Sequence, residues 1–534
     1  MSIAEQLGEV GLPAPIAELA AKPWDAIVVG GGHNGLTCAA YLARAGKSVL
    51  VLEARPRLGG ACTLERPFEN PGFVVSPCAY VVGLLDQVVI DELRLRERGL
   101  EVYVADPNLW APLPGGGSFA QWLDDSRTQA NLDALGVSSA DQKGYWAYEE
   151  IFDEMRRRLR TGQRDTWIGD SPTRPELEEL LDHEPTMIDI LFEASIADVL
   201  EDFIPGDARL RDALYGQGVI GAYAGPRDWG TASVKLMHYQ GDLEGGGPVW
   251  GYVKGGMGVI SFAIADAAAE AGAVLATGVE VAEIVPGEGV RLTGGDFLRA
   301  GTIISNADPK RVLGMLEGSD AVPDAYRQRL VDWQVRSPVV KFNAALSRLP
   351  TFPAAEGAQW PYRSMVSVTL GLDAAQEAFR QCVAGQAAVG YGEVYFQTGY
   401  DPSPAPEGKH LMSVFGQYAP YAFADGRSWD DHRADIERQF LDLIGHFAPD
   451  IGDCIEHCEV LGPPDIEQRV GLTGGHIFQG ETMPDQMWEH RLSARTPVPG
   501  VYLCGAATHP AGSVIALNGR NAAQAVLADT AFAG

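Results

Sequence analysis

A chain of 534 residues exceeds the comfortable size of one core, and its 46% hydrophobic content excludes a disordered polypeptide, so a two-domain globular protein is expected. A net charge of −30 excludes a nucleic-acid partner, which needs clustered Lys and Arg, and argues against electrostatic docking on anionic lipid. The cysteines at 38, 62, 78, 382, 454, 458 and 504 are odd in number and widely spaced, residues 1–24 carry Glu5, Glu9 and Glu18 where a leader needs a basic start and an apolar run, and no stretch of about 18 apolar residues occurs; a reduced, cytoplasmic protein without membrane spans is expected.

The first predicted element is a strand, Ala26–Val29, which runs into Gly30-x-Gly32-x-x-Gly35. Gly30 allows the tight turn, Gly32 lets backbone approach a pyrophosphate, and Gly35 lets the following helix, Leu36–Ala45, pack on the strand. That helix aims its positive end at the phosphates, and Gly46 stops it. A second strand, Ser48–Leu52, leads to Glu53, 53 − 35 = 18 residues past the last glycine, where a carboxylate accepts from a ribose diol and disfavours a 2′-phosphate. Ala54-Arg55-Pro56-Arg57-Leu58-Gly59-Gly60-Ala61 then offers guanidinium and glycine backbone as a second clamp on a diphosphate. A nicotinamide domain does not need that clamp, so the pattern points to FAD.

Residues 141–204 read as acidic amphipathic helices, for example Met187–Ile196. The basic island Met155–Arg160 reads as a solvated helix face, with peripheral membrane contact as the alternative. Gly255-Gly256-Met257-Gly258 opens a helix over Val259–Ala271, followed by strands at Val274–Ala276, Val279–Ile284 and Thr302–Ser305. The Gly255 turn lacks the final glycine spacing of a second fingerprint. Without a built-in NAD(P)H domain, electrons leave to oxygen or a quinone, unless the reaction is redox-neutral. Lys341–Leu346 is a pocket-lining strand, Asp401–Gly408 a surface loop, and Cys454-x-x-x-Cys458 around His457 a helix face rather than a metal site. The last predicted elements are the loop Tyr502–Val514, with Gly505 and Ala506, and a helix from near Gly519 whose positive end faces the flavin.

No Ser-His-Asp set or metal cluster is apparent, so the flavin carries the chemistry. Catalytic candidates are His509, as a proton donor or acceptor or else a loop hydrogen-bonder; Lys341, as an active-site cation or a solvated strand residue; and Asn518, as a polar contact to substrate or flavin or a packing residue. The Tyr223 hydroxyl is a further candidate for the pocket wall.

Four segments carry a family resemblance: Gly30–Leu36 with Glu53–Ala61, Ile220–Pro226 with Gly230-Thr231-Ala232, Tyr252–Gly258, and Thr508–Pro510 through Gly519–Ala523. They resemble the phytoene desaturase-like flavoproteins, which include carotenoid desaturases, retinol saturases and the pyridine nucleotide-disulfide oxidoreductase domain 2 branch, and more distantly the amine oxidases. The resemblance implies an α/β fold in which a Rossmann-type FAD-binding domain (1–105, 250–325 and 465–534) is interleaved with a mixed-sheet and helical substrate domain (106–249 and 326–464). It places Gly30, Gly32, Gly35, Glu53, Ala54, Arg55, Gly59, Gly60, Ala61, Val281, Asn306, Gly505, Ala506 and Val514 around FAD, with Val281 backbone against the adenine and Asn306 on the phosphate side. It implies an FAD-dependent oxidoreductase that dehydrogenates, saturates or isomerises a C–C bond of a largely apolar small molecule. Amine oxidase-like C–N oxidation and a low-turnover structural flavin are the alternatives, and a homo-oligomer is left open. The chain departs from the carotenoid desaturases in having Val514-Ile515-Ala516 for their usual Ile-Pro-Gly, and the amide of Asn518 where an apolar residue is common. It has no Cys-x-x-Cys pair for disulfide chemistry.

Overall fold

The computed structural model describes residues 15–162 and 164–531, so most of residues 1–24, read from sequence as lacking a leader, lies outside the described residues. Sixteen strands are present among them. They are β1 (Trp24–Val29), β2 (Val49–Glu53), β3 (Val102–Val104), β4 (Leu109–Pro112), β5 (Ser118–Gln121), β6 (Gly251–Val253), β7 (Val274–Thr277), β8 (Val281–Val285), β9 (Gly289–Leu292), β10 (Phe297–Ser305), β11 (Val339–Leu346), β12 (Met365–Thr369), β13 (Tyr391–Tyr395), β14 (His410–Gln417), β15 (Ile455–Leu461) and β16 (Val501–Leu503).

The first sheet has the parallel order β7-β2-β1-β10-β16, the doubly wound arrangement for a dinucleotide. Strand β10 serves twice. Its end, Ile303–Ser305, lies between β1 and β16, while its start, Phe297–Arg299, pairs antiparallel with β9, and β9 with β8. Alternation on β1 feeds two cores: Ala26 and Val28 pack on one side of the sheet, Ile27 and Val29 on the other. Both faces are therefore covered, as parallel strands require.

Helix α1 (His33–Arg44) follows β1 and packs against α2 (Gly258–Glu270) and α3 (Leu517–Ala531). Small residues make this crossing close. A Cβ on Gly519 would sit 2.1 Å from Asn34 O, and one on Gly35 would sit 2.2 Å from Gly30 O. The glycine of α3 is thus as necessary to the fingerprint as those inside it.

The second sheet runs β15-β11-β14-β13-β12-β4-β5, antiparallel except where β12 meets β4. Its two faces differ in chemistry. Val340, Phe342, Val414 and Val394 face an apolar core with the helix Trp429–Gly445, where Phe342 stacks on Phe440 at 5.2 Å. Residues one step along, Lys341, Phe415 and Glu393, are register partners across three strands and share the opposite face.

Three sequence expectations are corrected here. Cys454 ends a short helix and Cys458 lies on β15, so the pair is not on one helix face. The Met187–Ile196 stretch breaks at Glu193–Ser195, where Ser195 caps the next helix, Ile196–Phe203. Every arginine of the Met155–Arg160 island is committed to a carboxylate: Arg156 to Asp153, Arg157 to Glu150, Arg158 to Glu154, and Arg160 to Asp86. Among the described residues no helix is long and apolar enough to cross a membrane.

Candidate active site

The carboxyl ends of β1, β2 and β10 open into a cavity of about 620 Å³ whose opposite wall is the polar face of the second sheet. A cleft beyond the strand ends is where doubly wound sheets bind ligands. Gly30, Gly32, Glu53, Ala54, Gly59, Gly60, Ala61, Val281, Asn306, Ala506 and Val514 all line it.

One end is built from backbone. Gly32 caps α1 without any side-chain cap, leaving first-turn N–H groups for a ligand. His33 Nε2 and Asn34 Oδ1, both on cavity-lining residues, are buried without a hydrogen-bond partner among the described residues. Gly59 N donates to Gly31 O at 2.9 Å and lays the second loop against the first. A Cβ on Gly32 would approach Asn306 Nδ2 to 2.8 Å, so glycine keeps this floor open. The Glu53 carboxylate accepts from Gly31 N (2.7 Å) and Arg55 N (2.9 Å) while facing the cavity. Burial raises its pKa, opposed by those two bonds. An uncapped helix start and a glycine cradle fit the diphosphate of FAD, and Glu53 and Val281 line the same cleft, where they would meet the ribose and the adenine.

Three of the expected cofactor residues stand behind this surface. Gly35 meets the Gly30 turn, and Gly505 packs on Asn306 and Gln479. Arg55 points away from the diphosphate position to Glu65 (2.5 Å) and Gly60 O (3.2 Å), and Arg57 donates to Leu64 O. The arginine clamp expected from sequence is a brace beneath the glycine loop, because Glu65 offers the guanidinium a permanent carboxylate.

Two catalytic candidates are also placed outside the cavity wall. His509 Nε2 lies 2.6 Å from Thr166 O, and Asn518 Nδ2 donates to Thr508 O (2.9 Å) and Ala511 O (3.0 Å). Both are buried and tie down the loop whose next residues, Ser513 and Val514, do line the cavity. Burial lowers His509 to about 4, so its ring is neutral. Tyr223 packs on Phe379 and under Arg336, also outside the cavity lining.

Lys341 alone of the three catalytic candidates reaches the cavity. It is 2% exposed, donates to Ser413 Oγ at 2.5 Å, and lies 4.0 Å from the centroid of the Tyr80 ring. Burial lowers its pKa to about 7. The rest of this end comes from residues that sequence reasoning did not find. Glu393 accepts from Gln217 Nε2 (2.8 Å), Tyr391 OH (2.9 Å) and Tyr395 OH (2.8 Å). His238, Trp250, Phe415 and Phe478 complete the wall. Only alternation along β11, β13 and β14 hinted at them, and alternation does not say which face meets a ligand.

Two further residues join the cavity's ends. Gln479 donates to Asn306 O (3.1 Å) and accepts from Ala507 N (3.2 Å), linking β10 to the closing loop. Buried Arg491 donates to Phe478 O (2.9 Å) and Ala506 O (2.6 Å), fixing two cavity-lining residues with one guanidinium.

Comparison with known proteins agrees with this geometry. Residues 152–527 match the family described as flavin containing amine oxidoreductase, and residues 28–82 match the NAD(P)-binding Rossmann-like domain. The chain is 32% identical to pyridine nucleotide-disulfide oxidoreductase domain-containing protein 2 of Rattus norvegicus, over 95% of this chain and 94% of that one. It is 26% identical to hydroxyneurosporene desaturase of Cereibacter sphaeroides, over 95% and 98% of the two chains. A redesigned putrescine oxidase superposes with a TM-score of 0.60 at 18% identity, covering 96% of this chain and 99% of that one, which shows a common fold.

Proposed function

The chain belongs to the flavin-containing amine oxidoreductase family and is an FAD-dependent oxidoreductase, and on that footing we propose that it dehydrogenates a C–C bond in a largely apolar small molecule. FAD, when bound, supplies the two-electron acceptor. The chain's own residues position the substrate and handle the proton.

The observation that carries this reading is how the polar wall is already occupied. An amine substrate enters as a cation and needs a free carboxylate or an open ring face. Here Lys341 sits over Tyr80, and the Glu393 oxygens accept from Gln217, Tyr391 and Tyr395. The Tyr80 ring is therefore taken by the protein's own lysine. A second ammonium beside Lys341 would meet like charge, whereas Trp250, Phe415, Phe478, Ile477 and Leu472 offer contact to a hydrocarbon skeleton. The similarity to a desaturase supports the same choice. His509 and Asn518 act here as braces for the closing loop. Electrons pass on to oxygen or a quinone.

Anaerobic spectroscopy tests this reading. Saturated terpenoid or alicyclic compounds are expected to bleach the flavin band and yield the alkene. Bleaching by primary amines, with none by these compounds, would move the assignment to C–N oxidation.

A further inference from the structure

Resting on the C–C reading above, we propose that the substrate carries a carbonyl oxygen next to the bond oxidised, that Lys341 holds this oxygen, and that His238 takes the proton from the α-carbon.

His238 ends the helix Thr231–His238 and lines the cavity. Its Nδ1 lies 3.0 Å from Val234 O and 3.2 Å from Gln217 O. Both neighbours are acceptors, so Nδ1 carries the hydrogen and Nε2 keeps a lone pair. Among the described residues Nε2 has no hydrogen-bond partner, and it is not one of the buried orphan atoms, so it opens onto the cavity. The ring is flanked by Trp250 (6.2 Å) and Phe478 (5.8 Å). Phe478 in turn presses on the closing loop, since a Cβ on Gly512 would come within 2.3 Å of it. A fixed neutral base thus stands one ring away from the loop that faces the flavin site. Burial lowers its pKa to about 4, which keeps the ring neutral near pH 7.

Lys341 supplies the complementary group. Ser413 Oγ donates to Asn343 Oδ1 (2.9 Å), so toward Lys341 it acts as an acceptor and takes one N–H. No second hydrogen bond from Nζ is made to the described chain, and no carboxylate pairs with it. A buried donor whose nearby carboxylates, Glu393 and Glu459, are not hydrogen-bonded to it keeps N–H groups for negative charge that develops during reaction. Glu393 is the less free group, because three donors already hold its oxygens, whereas His238 Nε2 has no partner among the described residues. Gln217 is a positioning residue: its carbonyl holds His238 and its amide holds Glu393.

The proposed step balances without an added reagent. The α C–H bond breaks, its electron pair stays on carbon and delocalises to the oxygen as an enolate, and the proton goes to His238 Nε2. Loss of the β-hydrogen with its electron pair is the part for which the family's flavin is needed.

The two halves separate in a ketone without β-hydrogens. Holoenzyme is incubated in D2O with a tetramethylcyclohexanone whose β-carbons are both fully methylated, and deuterium at the α-carbons is followed by mass spectrometry. Enzyme-dependent exchange is expected, falling at least ~100-fold in His238→Asn, which keeps a donor toward Gln217 O, and in Lys341→Met, with flavin content unchanged. Exchange no faster than in buffer, or unaltered in both variants, would overturn the proposal even if hydrocarbons bleach the flavin. Exchange without bleaching by any C–C substrate would retain the roles of Lys341 and His238 in proton transfer beside a carbonyl and overturn the dehydrogenation reading together with the oxidised bond placed next to it.

Discussion

The two ends of the cavity are made of different materials. The diphosphate end is backbone: glycines, a helix start and peptide N–H groups, contributed by short local motifs. The other end, where we place the substrate, is side chain: Lys341 from β11, Glu393 from β13 and His238 from a helix, joined by Gln217. A backbone site tolerates little change in shape and constrains its ligand strongly. A side-chain site on a sheet face can be rewritten one residue at a time without touching the frame, which is how one fold comes to host many substrates.

The largest expected effect is at the backbone end. Gly35→Val puts carbon atoms where Gly30 O stands, 2.2 Å from the first of them, so FAD is lost along with native packing. A yellow, well-folded variant would break the contrast. Glu53→Ala removes the ribose acceptor and also the acceptor for the Gly31 and Arg55 N–H groups, while leaving the glycine frame in place. Roughly 1.5–3 kcal/mol of charged hydrogen bonding corresponds to a Kd for FAD weaker by roughly 10–150-fold, measured by flavin fluorescence on dilution.

At the side-chain end, pH gives a finer test. Lys341 falls from its ordinary 10.5 to about 7 through burial, with Cys78, Glu459, Glu393 and the Tyr80 ring around it. Between those values the unfolded chain binds more protons, so this lysine makes stability rise with pH across that window. Lys341→Met is expected to flatten the rise in denaturation midpoint from about pH 7 upward and to raise stability below it. An unchanged slope would mean that the amine is solvated. The smallest effect is expected from His509→Ala. It leaves Thr166 O unpaired at a cost of roughly 1–3 kcal/mol in stability, with the rate of flavin reduction unchanged. A slowed reduction with intact folding would return His509 to the chemistry.

The same contrast explains what could be read in advance. That Gly30, Gly32 and Glu53 meet at one cavity was legible because the fixed spacing expected for a diphosphate and a ribose lies along one short segment. Arg55 misleads because residue type gave the right chemistry for phosphate, while its actual partner, Glu65, is a local carboxylate of no conspicuous pattern. His509 and Asn518 mislead because they lie in the right loop but face its underside. His238 and Glu393 were invisible for a different reason: their roles arise from register across three strands and from one glutamine that bridges two elements. Ala516 shows that even a departure from the family pattern has a geometric price, for it holds φ +69° where glycine is usual in the desaturases.

Strand β10 reaches its full set of neighbours only when β16 arrives beside it, and the cover of α1 begun by α2 is completed only by α3; β16 and α3 are drawn from residues 501–531. Contacts this distant along the chain are slow to form, since loop closure precedes any reward. During synthesis the fingerprint at residues 30–35 therefore emerges on the ribosome long before its lid exists. Flavin capture is bound to be a late event in biogenesis, and the half-made sheet, with the β10 edge bare, is the stage at which misassembly and chaperone dependence should concentrate.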